Sequence, residues 1–232
     1  MKIFAISDLH ISTNTNKPMD IFGGNWVGYL EKIRADWLEK VSEDDLVLIG
    51  GDISWAMSIE DAKKDIESLL NLKGKKVLIK GNHDYWWSGI GKVRDMLPEN
   101  FYALQNDSIR FDGVVICGSR CWSVPGSPDF NEQDKKLYLR ETERLKLSLK
   151  SAEKLKQDGD KLIALVHYPP FNVKREDTEF TKIFEEYGVD LVVYGHLHGK
   201  SVRADKLVIK NGVKYYLTSC DQVDNKLTEI EL

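Results

Sequence analysis

The sequence predicts an α/β fold with largely parallel strand pairing. Five short runs are rich in Ile, Val and Leu and do not alternate with polar residues, as is typical of strands buried on both faces. Amphipathic stretches with helical periodicity separate these runs, and regular alternation of strands and helices favours a parallel sheet. Two further segments contain hairpin turn residues, which predict a second, mixed sheet packed against the first.

The predicted elements follow one another in a simple order along the chain. The strands are KIFAIS (2–7), DLVLIG (45–50), KKVLIK (75–80), KLIALV (161–166) and DLVVYG (190–195). The helices are predicted at 27–41, 58–72, 85–97, 131–157 and 178–187. Residues 101–118 predict two or three short strands with a turn at Asp112-Gly113, and residues 206–219 predict a hairpin around Asn211-Gly212.

Length and composition predict one globular domain that spans residues 1–232. The chain has 42% apolar and 30% charged residues, which is ordinary for a folded protein. It has no internal repeat, low-complexity tract or linker-like segment that would mark a domain boundary. The apolar run in the N-terminal segment MKIFAISDLHIS is too short for a signal peptide or a membrane span, and no later stretch is longer. We therefore expect a cytoplasmic protein with no membrane partner.

Cysteine content and charge argue against two further classes of protein. Cys117, Cys121 and Cys220 give an odd count without a CxxC pair, so we expect buried free thiols and neither a disulfide framework nor a thiolate zinc site. The formal net charge of -4 provides no bulk attraction to a polyanion. Nucleic acid is therefore a partner that the sequence allows but does not favour.

Residues with metal-binding side chains follow each of the five predicted strands. They are Asp8 and His10, then Asp52, then Asn82, His83 and Asp84, then His167, and finally His196 and His198. Ligands of α/β sheets bind beyond the carboxyl ends of the strands, so we expect these residues to converge at one edge. The set includes all five histidines of the chain. Imidazole, carboxylate and carboxamide without thiolate suit a divalent ion such as Mn, Fe or Zn.

Local spacing suggests how these side chains reach a common site. Asp8 and His10 are two residues apart, as are His196 and His198, so an extended continuation of each strand would point both partners to the same side. Glycines stand at 51, 81 and 195, directly before a candidate ligand. The absence of a Cβ would let the backbone leave the strand sharply at these points.

The motifs together resemble one protein superfamily. Their order is Asp8-Leu9-His10, Gly51-Asp52, Gly81-Asn82-His83-Asp84, a lone His167, and Gly195-His196-Leu197-His198. This series resembles the calcineurin-like metallophosphoesterases and extends over most of the chain. The longer segments MKIFAISDLHIS, GDISWAM and GNHDYWW are similar to a bacterial subgroup of predicted phosphohydrolases. The resemblance implies a four-layer α/β/β/α sandwich of two mixed sheets with outer helices.

The resemblance also implies a dinuclear metal centre. One divalent ion would be held by Asp8, His10, Asp52 and His198, and the other by Asp52, Asn82, His167 and His196. Asp52 would then bridge the two ions, and a metal-activated hydroxide would attack phosphorus. His83 would act beside the leaving group, with Asp84 fixing its tautomer and raising its pKa. The alternative for His83 and Asp84 is a hydrogen bond within a turn.

The function expected from these residues is hydrolysis of a small phosphomonoester or phosphodiester, with nucleotide-like molecules among the candidate substrates. Manganese is included among the candidate metals. A nuclease is one alternative. A metal-bound scaffold that has lost catalysis is another, although the complete ligand set and His83 argue against it.

Four weaker features have two interpretations each. Tryptophans at 55, 86, 87 and 122 either form an aromatic wall for a substrate ring or pack the loops. Arg120 either contacts a phosphate or forms a structural ion pair. The segment 121–131 is either a surface loop that shapes specificity or a connector. The charged helix at 131–157 is expected to have a solvated face and is not interpreted as a nucleic-acid arm.

Overall fold

The computed structural model describes residues 1–13, 17, 19–128 and 130–232. The strands are β1 (Ile3–Ile6), β2 (Leu46–Ile49), β3 (Lys75–Ile79), β4 (Phe101–Leu104), β5 (Ser108–Phe111), β6 (Val114–Ser119), β7 (Lys161–Val166), β8 (Leu191–Tyr194), β9 (Leu207–Lys210), β10 (Val213–Leu217) and β11 (Thr228–Glu229). The helices are α1 (Tyr29–Lys40), α2 (Ile59–Glu67), α3 (Ile90–Met96), α4 (Glu132–Leu155) and α5 (Glu179–Glu186). Short 3-10 helices lie at Met19–Phe22 and Gly24–Trp26.

The predicted strands and helices are all present, with shorter ends. Polar caps begin several helices: the Ser58 side chain accepts from a backbone N–H of α2, and Asn131 and Asp134 form a capping box at α4. Helix α3 begins at Ile90 and not near residue 85. Tight backbone turns occupy the intervening segment, since the N–H groups of Tyr85 and Trp87 donate to the carbonyls of residues 83 and 84.

The strands form two mixed sheets. The first has the order β11-β1-β2-β3-β4 and the second the order β5-β6-β7-β8-β10-β9. Strands β1 to β4 are parallel, and so are β6, β7, β8 and β10, while β5, β9 and β11 pair antiparallel at the edges. The prediction of a second sheet is confirmed. That sheet also contains β7 and β8, however, so the five predicted central strands are divided between the two sheets.

Three separate apolar clusters show that the molecule has four layers. One cluster lies between the sheets and includes Ala5 and Leu48 from the first sheet with Ile163 and Val193 from the second. A second covers the outer face of the first sheet with α1, α2 and α3, and contains the fully buried Trp37. A third covers the outer face of the second sheet with α4 and α5. Because both faces of both sheets are buried, their strands lack the apolar–polar alternation of a solvated sheet. The α/β/β/α sandwich implied by the resemblance is confirmed.

Smaller expectations about turns, thiols and helices are also met. The hairpin between β9 and β10 turns at Asn211 and Gly212, whose φ angles of 51° and 83° are those of a type I′ turn. All three cysteines are buried and free, and burial raises the pKa of Cys117 to about 12. Helix α4 has a largely solvated charged face, although its Glu141 is buried. Among the described helices, none combines the length and the hydropathy needed to cross a bilayer.

Candidate metal centre

The predicted ligands meet where the carboxyl ends of the parallel strands of both sheets come together. Asp8 and His10 follow β1, Asp52 follows β2, Asn82 follows β3, His167 follows β7, and His196 and His198 follow β8. Backbone hydrogen bonds join these loops: Asp8 N–H donates to Gly51 O at 3.0 Å, and Gly195 N–H donates to His167 O at 3.1 Å. The two sheets therefore build one site between them.

Four of the candidate ligands have a left-handed backbone. The φ angles are 59° at Asp8, 45° at His10, 51° at Asp52 and 69° at His196. The prediction that each pair continues its strand in an extended conformation is wrong. The chain turns sharply instead, and successive N–H groups of Leu197 and His198 donate to carbonyls two residues earlier. This conformation costs roughly 1–2 kcal/mol for most residues that carry a Cβ, and its concentration here is typical of a functional site.

The glycines before the ligands act in two different ways. Gly51 has a φ angle of 88° and makes the sharp turn that was predicted. Gly81 and Gly195 instead allow close approach. A Cβ on Gly81 would lie 2.1 Å from Asp52 Oδ1, and one on Gly195 would lie 2.7 Å from Asp8 Oδ2. Any side chain at these two positions would displace a carboxylate of the site.

The first ligand group consists of Asp8, His10, Asp52 and His198. Its ligand atoms all lie within 4.8 Å of one another. The His10 side chain is fully buried, and neither of its ring nitrogens has a hydrogen-bond partner among the described residues. Its ring is stacked on Trp55 at 4.7 Å and meets the edge of Trp26 at 6.0 Å. Aromatic packing therefore fixes an imidazole whose polar atoms are left for something else to satisfy.

The second ligand group consists of Asn82, His167 and His196. In the orientation shown, Asn82 Oδ1 lies 2.7 Å from His167 Nε2 and 2.9 Å from His196 Nδ1. His167 Nδ1 lies 2.8 Å from the carbonyl oxygen of Gly50, which can only accept, so Nδ1 carries the proton. In a neutral His167 the lone pair of Nε2 therefore points at an oxygen lone pair of Asn82.

Asp52 lies between the two groups. Its Oδ1 accepts from the backbone N–H of His83 at 2.7 Å. Its Oδ2 is buried without a hydrogen-bond partner among the described residues, 3.8 Å from His10 Nε2 and 3.5 Å from His167 Nε2. One carboxylate oxygen is thus directed at a ring nitrogen of each group.

Burial controls the protonation of the site. It lowers the pKa of His167 to about 3 and that of His196 to about 2, and it holds the pKa of His10 well below its ordinary value. Burial also raises the pKa of Asp52 to about 6, against the backbone N–H and the charge of His83. Neutral imidazoles are the form that binds metals.

These features fit the binding of divalent cations. Buried lone pairs on His10, Asp52, Asn82 and His167 lack donors or face one another, and each such arrangement costs about 1–3 kcal/mol if nothing compensates it. A cation in each group would receive these lone pairs. The donor set of imidazole, carboxylate and carboxamide contains no thiolate, as Mn, Fe or Zn sites allow.

His83 and Asp84 do not form the predicted pair. The oxygens of Asp84 accept from the backbone N–H groups of Ile53, Ser54 and Gly81 and from the indole of Trp86, at 2.7 to 3.2 Å. His83 Nδ1 has no partner among the described residues. Burial lowers the pKa of His83, although the charge of Asp52 opposes this shift. The prediction that Asp84 raises the pKa of His83 is therefore wrong; Asp84 instead ties together the loops after β2 and β3.

Each of the four tryptophans packs against neighbouring residues. Trp86 and Trp87 are buried, which agrees with the loop-packing interpretation. Trp55 contacts the rings of His10 and His83. Trp122 packs on Tyr168, and its indole donates to Asp134 at 2.9 Å.

Sequence reasoning missed two aromatic neighbours of the ligands. Trp26 flanks His10 and His198, and Tyr168 stacks on His196 with ring centroids 4.1 Å apart. Tyr168 directly follows His167, and this adjacency could have suggested its position. Trp26 has no comparable signal, because it reaches the site from a distant part of the chain.

Arg120 and the segment 121–131 border the site. Arg120 Nη2 lies 3.6 Å from Glu141 Oε1, and the guanidinium covers the ring of Trp122 at 4.5 Å. The ion-pair interpretation of Arg120 thus has direct support. Within the segment, the described residues Ser123, Val124 and Ser127 line a pocket of about 290 Å³ that also reaches His196. Residue 129 of this segment lies outside the described residues.

Comparisons with known proteins agree with this architecture. A structure from Thermus thermophilus has a TM-score of 0.62 at 12% identity and covers 99% of this chain and 98% of its own. A protein of unknown function from Aquifex aeolicus has a TM-score of 0.54 at 16% identity, covering 98% of this chain and 95% of its own. At these identities the likeness shows the fold alone.

Sequence comparison is more specific. No curated protein has a sequence that matches this chain. The sequence model of the calcineurin-like phosphoesterases, however, matches residues 1–200, which include every ligand of both groups. The chain therefore belongs to the calcineurin-like phosphoesterase family.

Proposed function

We propose that the protein is a phosphoester hydrolase that depends on two divalent metal ions. The observation that carries this proposal is the position of Asp52 Oδ2, which is buried and unpaired, 3.8 Å from His10 Nε2 and 3.5 Å from His167 Nε2. A carboxylate oxygen with a ring nitrogen on each side suits a ligand shared by two ions.

In this proposal the ligand groups divide the ions between them. Asp8, His10, Asp52 and His198 would hold one ion, and Asp52, Asn82, His167 and His196 would hold the other. Two such ions would lower the pKa of a shared water and neutralise charge on the phosphoryl oxygens. Manganese, iron and zinc all suit the donor set.

The chain's own residues keep the site ready for this chemistry. Because the carbonyl of Gly50 accepts a hydrogen bond from Nδ1–H of His167, the proton stays on Nδ1 and Nε2 is free to act as a ligand. The backbone N–H of His83 holds Oδ1 of Asp52, which directs Oδ2 toward both groups. Asp84 fixes the loops that carry Asp52 and Asn82, and we propose it as a positioning residue.

His83 is the histidine outside both ligand groups, and we propose it as the general acid. Its ring lies 4.5 Å from Trp55 and 5.7 Å from His10, so it borders the first ligand group without belonging to it. Its half-buried imidazole could give a proton to the departing oxygen of the substrate. The lowered pKa of His83 makes that proton easier to release, and an anionic substrate would favour the protonated form.

We propose a small phosphomonoester or phosphodiester as the substrate class, with action in the cytoplasm. The net charge of -4 gives a long polyanion little general attraction. The three buried free thiols suit a reducing compartment.

The test combines a metal count with two reporter substrates. Purified protein in Mn-containing buffer should bind two ions per chain and release the aryl group from an aryl phosphomonoester or an aryl phosphodiester. Two bound ions without turnover of either ester would overturn the hydrolase and favour a non-catalytic scaffold. Processive, salt-sensitive cleavage of long nucleic-acid strands would favour a nuclease instead.

A further inference from the structure

A second pocket lies beside the candidate metal centre, and its lining is strongly basic. We call it the arginine pocket and define it by Lys80, Arg120, Arg140 and Arg144 around Glu141. Its volume is about 230 Å³, and the remaining polar lining is neutral, including Ser88, Gln105 and Asn106. The metal ligands do not line it.

The arginine pocket opens at the same edge of the two sheets as the ligands. Lys80 directly follows β3 and precedes the loop that carries Asn82. Arg120 directly follows β6, and its carbonyl accepts from the N–H groups of His167 and Tyr168 at 3.3 and 3.1 Å. The charge of Arg120 also acts on Asp52 and His167. A small ligand could therefore reach both the pocket and the metal centre.

Charge is unbalanced in this pocket. Oε1 of the buried Glu141 lies 2.7 Å from Arg144, 3.4 Å from Arg140 and 3.6 Å from Arg120. Four cations and one carboxylate leave three positive charges among the described lining residues. The other Lys and Arg ion pairs of the described residues are one to one, as in Arg110 with Asp160 and Lys161 with Asp190.

Three guanidinium groups surround the single carboxylate of the pocket. One arginine would be enough to compensate Glu141, so the second and third guanidinium groups exceed what that carboxylate needs. Lys80 also serves the fold, because its Nζ donates to the carbonyl of Trp87 at 2.9 Å. Clustered guanidinium groups are the typical receptor for a phosphate, because their forked donors match its oxygens.

We propose that the arginine pocket binds a second phosphate group of the substrate, which makes the preferred substrate a small molecule with two separate phosphates. This inference rests on the proposed hydrolase function, since the other phosphate would occupy the metal centre. Arg120 adjoins that centre, because its carbonyl accepts from the N–H of His167, and its guanidinium is braced by the ring of Trp122 at 4.5 Å. Arg140 and Arg144, one helical turn apart on α4, would hold the far side of the second phosphate.

The test uses alkanediol bisphosphates of increasing chain length and the matched alkyl monophosphates. At least one bisphosphate should have a kcat/KM roughly tenfold above its monophosphate, a factor worth about 1.4 kcal/mol. Arg140→Gln should lower this ratio toward one by raising KM for the bisphosphate, and Arg140→Lys should restore part of it. Glu141→Gln should raise the ratio, because it removes the only carboxylate of the described lining. Lys146→Gln, at an exposed cation of the same helix paired with Glu143, should leave the ratio unchanged.

The outcomes separate the two proposals. Hydrolysis of the monophosphates with a ratio near one at every chain length would overturn the arginine pocket and leave the hydrolase intact. Absence of hydrolysis of every ester would overturn the hydrolase. In that case titration calorimetry with the same bisphosphates decides the pocket: weaker binding by Arg140→Gln supports it, and equal binding overturns it. The side chain of Arg140 is half exposed, so this variant should fold.

Discussion

The two ligand groups achieve the same convergence of imidazoles by different physical means. In the first group, His10 is held by aromatic packing against Trp55 and Trp26, and its ring nitrogens have no partner among the described residues. In the second group, the Nδ1–H of His167 donates to the carbonyl of Gly50 at 2.8 Å, and this hydrogen bond orients the ring. The imidazole of His10 is thus positioned by aromatic contacts, and that of His167 by a hydrogen bond.

This difference teaches where a cation contributes most to stability. The buried polar atoms of His10 and Asp52 that lack a hydrogen-bond partner lower the stability of the fold. Nδ1 of His167, in contrast, already donates to the carbonyl of Gly50. We expect metal binding to relieve a larger cost in the first group. Asp52 joins the groups, so its replacement should disturb both, and ligands found in one group should act more locally.

The largest effect is expected from Asp52→Ala. Both ions would lose a ligand, and several kcal/mol of transition-state stabilisation would disappear, so we expect activity to fall by more than about 10³-fold. Metal analysis of the purified variant should show fewer than two ions per chain. Asp52→Asn is the matched control for shape, because its amide oxygen can still accept from His83 N–H. Retention of both ions by Asp52→Ala would overturn the bridging role.

The next largest effect is expected from His83→Ala, which tests whether a residue outside both groups acts on the substrate. It should keep both ions and slow turnover by roughly the 10²–10⁴-fold typical of acid–base groups. Steady-state kinetics and metal analysis on the same sample measure this. His83→Gln retains much of the packing against Trp55 without an ionisable ring. A rate equal to that of the wild type would remove His83 from the mechanism.

A paired experiment tests whether the groups are separate. His10→Ala removes a ligand from the first group and Asn82→Ala removes one from the second. Each variant should lower the affinity for one ion by at least about 10–100-fold and leave the affinity for the other unchanged. Competition with a chelator of known affinity distinguishes the two ions by their release. Simultaneous loss of both ions in either variant would show that the groups form one cooperative unit.

Much of the fold could be predicted because its signals are local. Apolar runs without alternation identified β1, β2 and β3, and Asn211-Gly212 identified a hairpin. The division of strands between two sheets could not be predicted, because strand order depends on long-range packing. Strand β11, for example, pairs with β1 through only two residues, Thr228 and Glu229, which have no distinctive pattern.

The convergence of the candidate site residues could be predicted, but their conformation could not. Motif order indicated the ligands, and the structure brings the seven residues together. The left-handed turns at Asp8, His10 and Asp52 could not be predicted, because Asp and His adopt this conformation more often than most residues with a Cβ but still only in a small share of cases. The position of Asp84 was also hidden. Its main partners are backbone N–H groups from another loop. Because nearly every residue has such a group, the sequence does not show which of them Asp84 binds.

The smallest effects are expected from the aromatic rings that brace each group. Trp55→Leu removes the ring stacked on His10, and Tyr168→Leu removes the ring stacked on His196. Ring pairs of this kind contribute about 0.5–1.5 kcal/mol of stability, so each variant should lower the affinity for one ion by roughly threefold to tenfold. Calorimetric metal titration measures this, with Phe22→Leu, at an exposed aromatic, as the control. If apolar packing is the main support of the first group alone, Trp55→Leu should have the larger effect, because hydrogen-bond contacts still hold the second group. Equal losses in both variants would contradict that asymmetry.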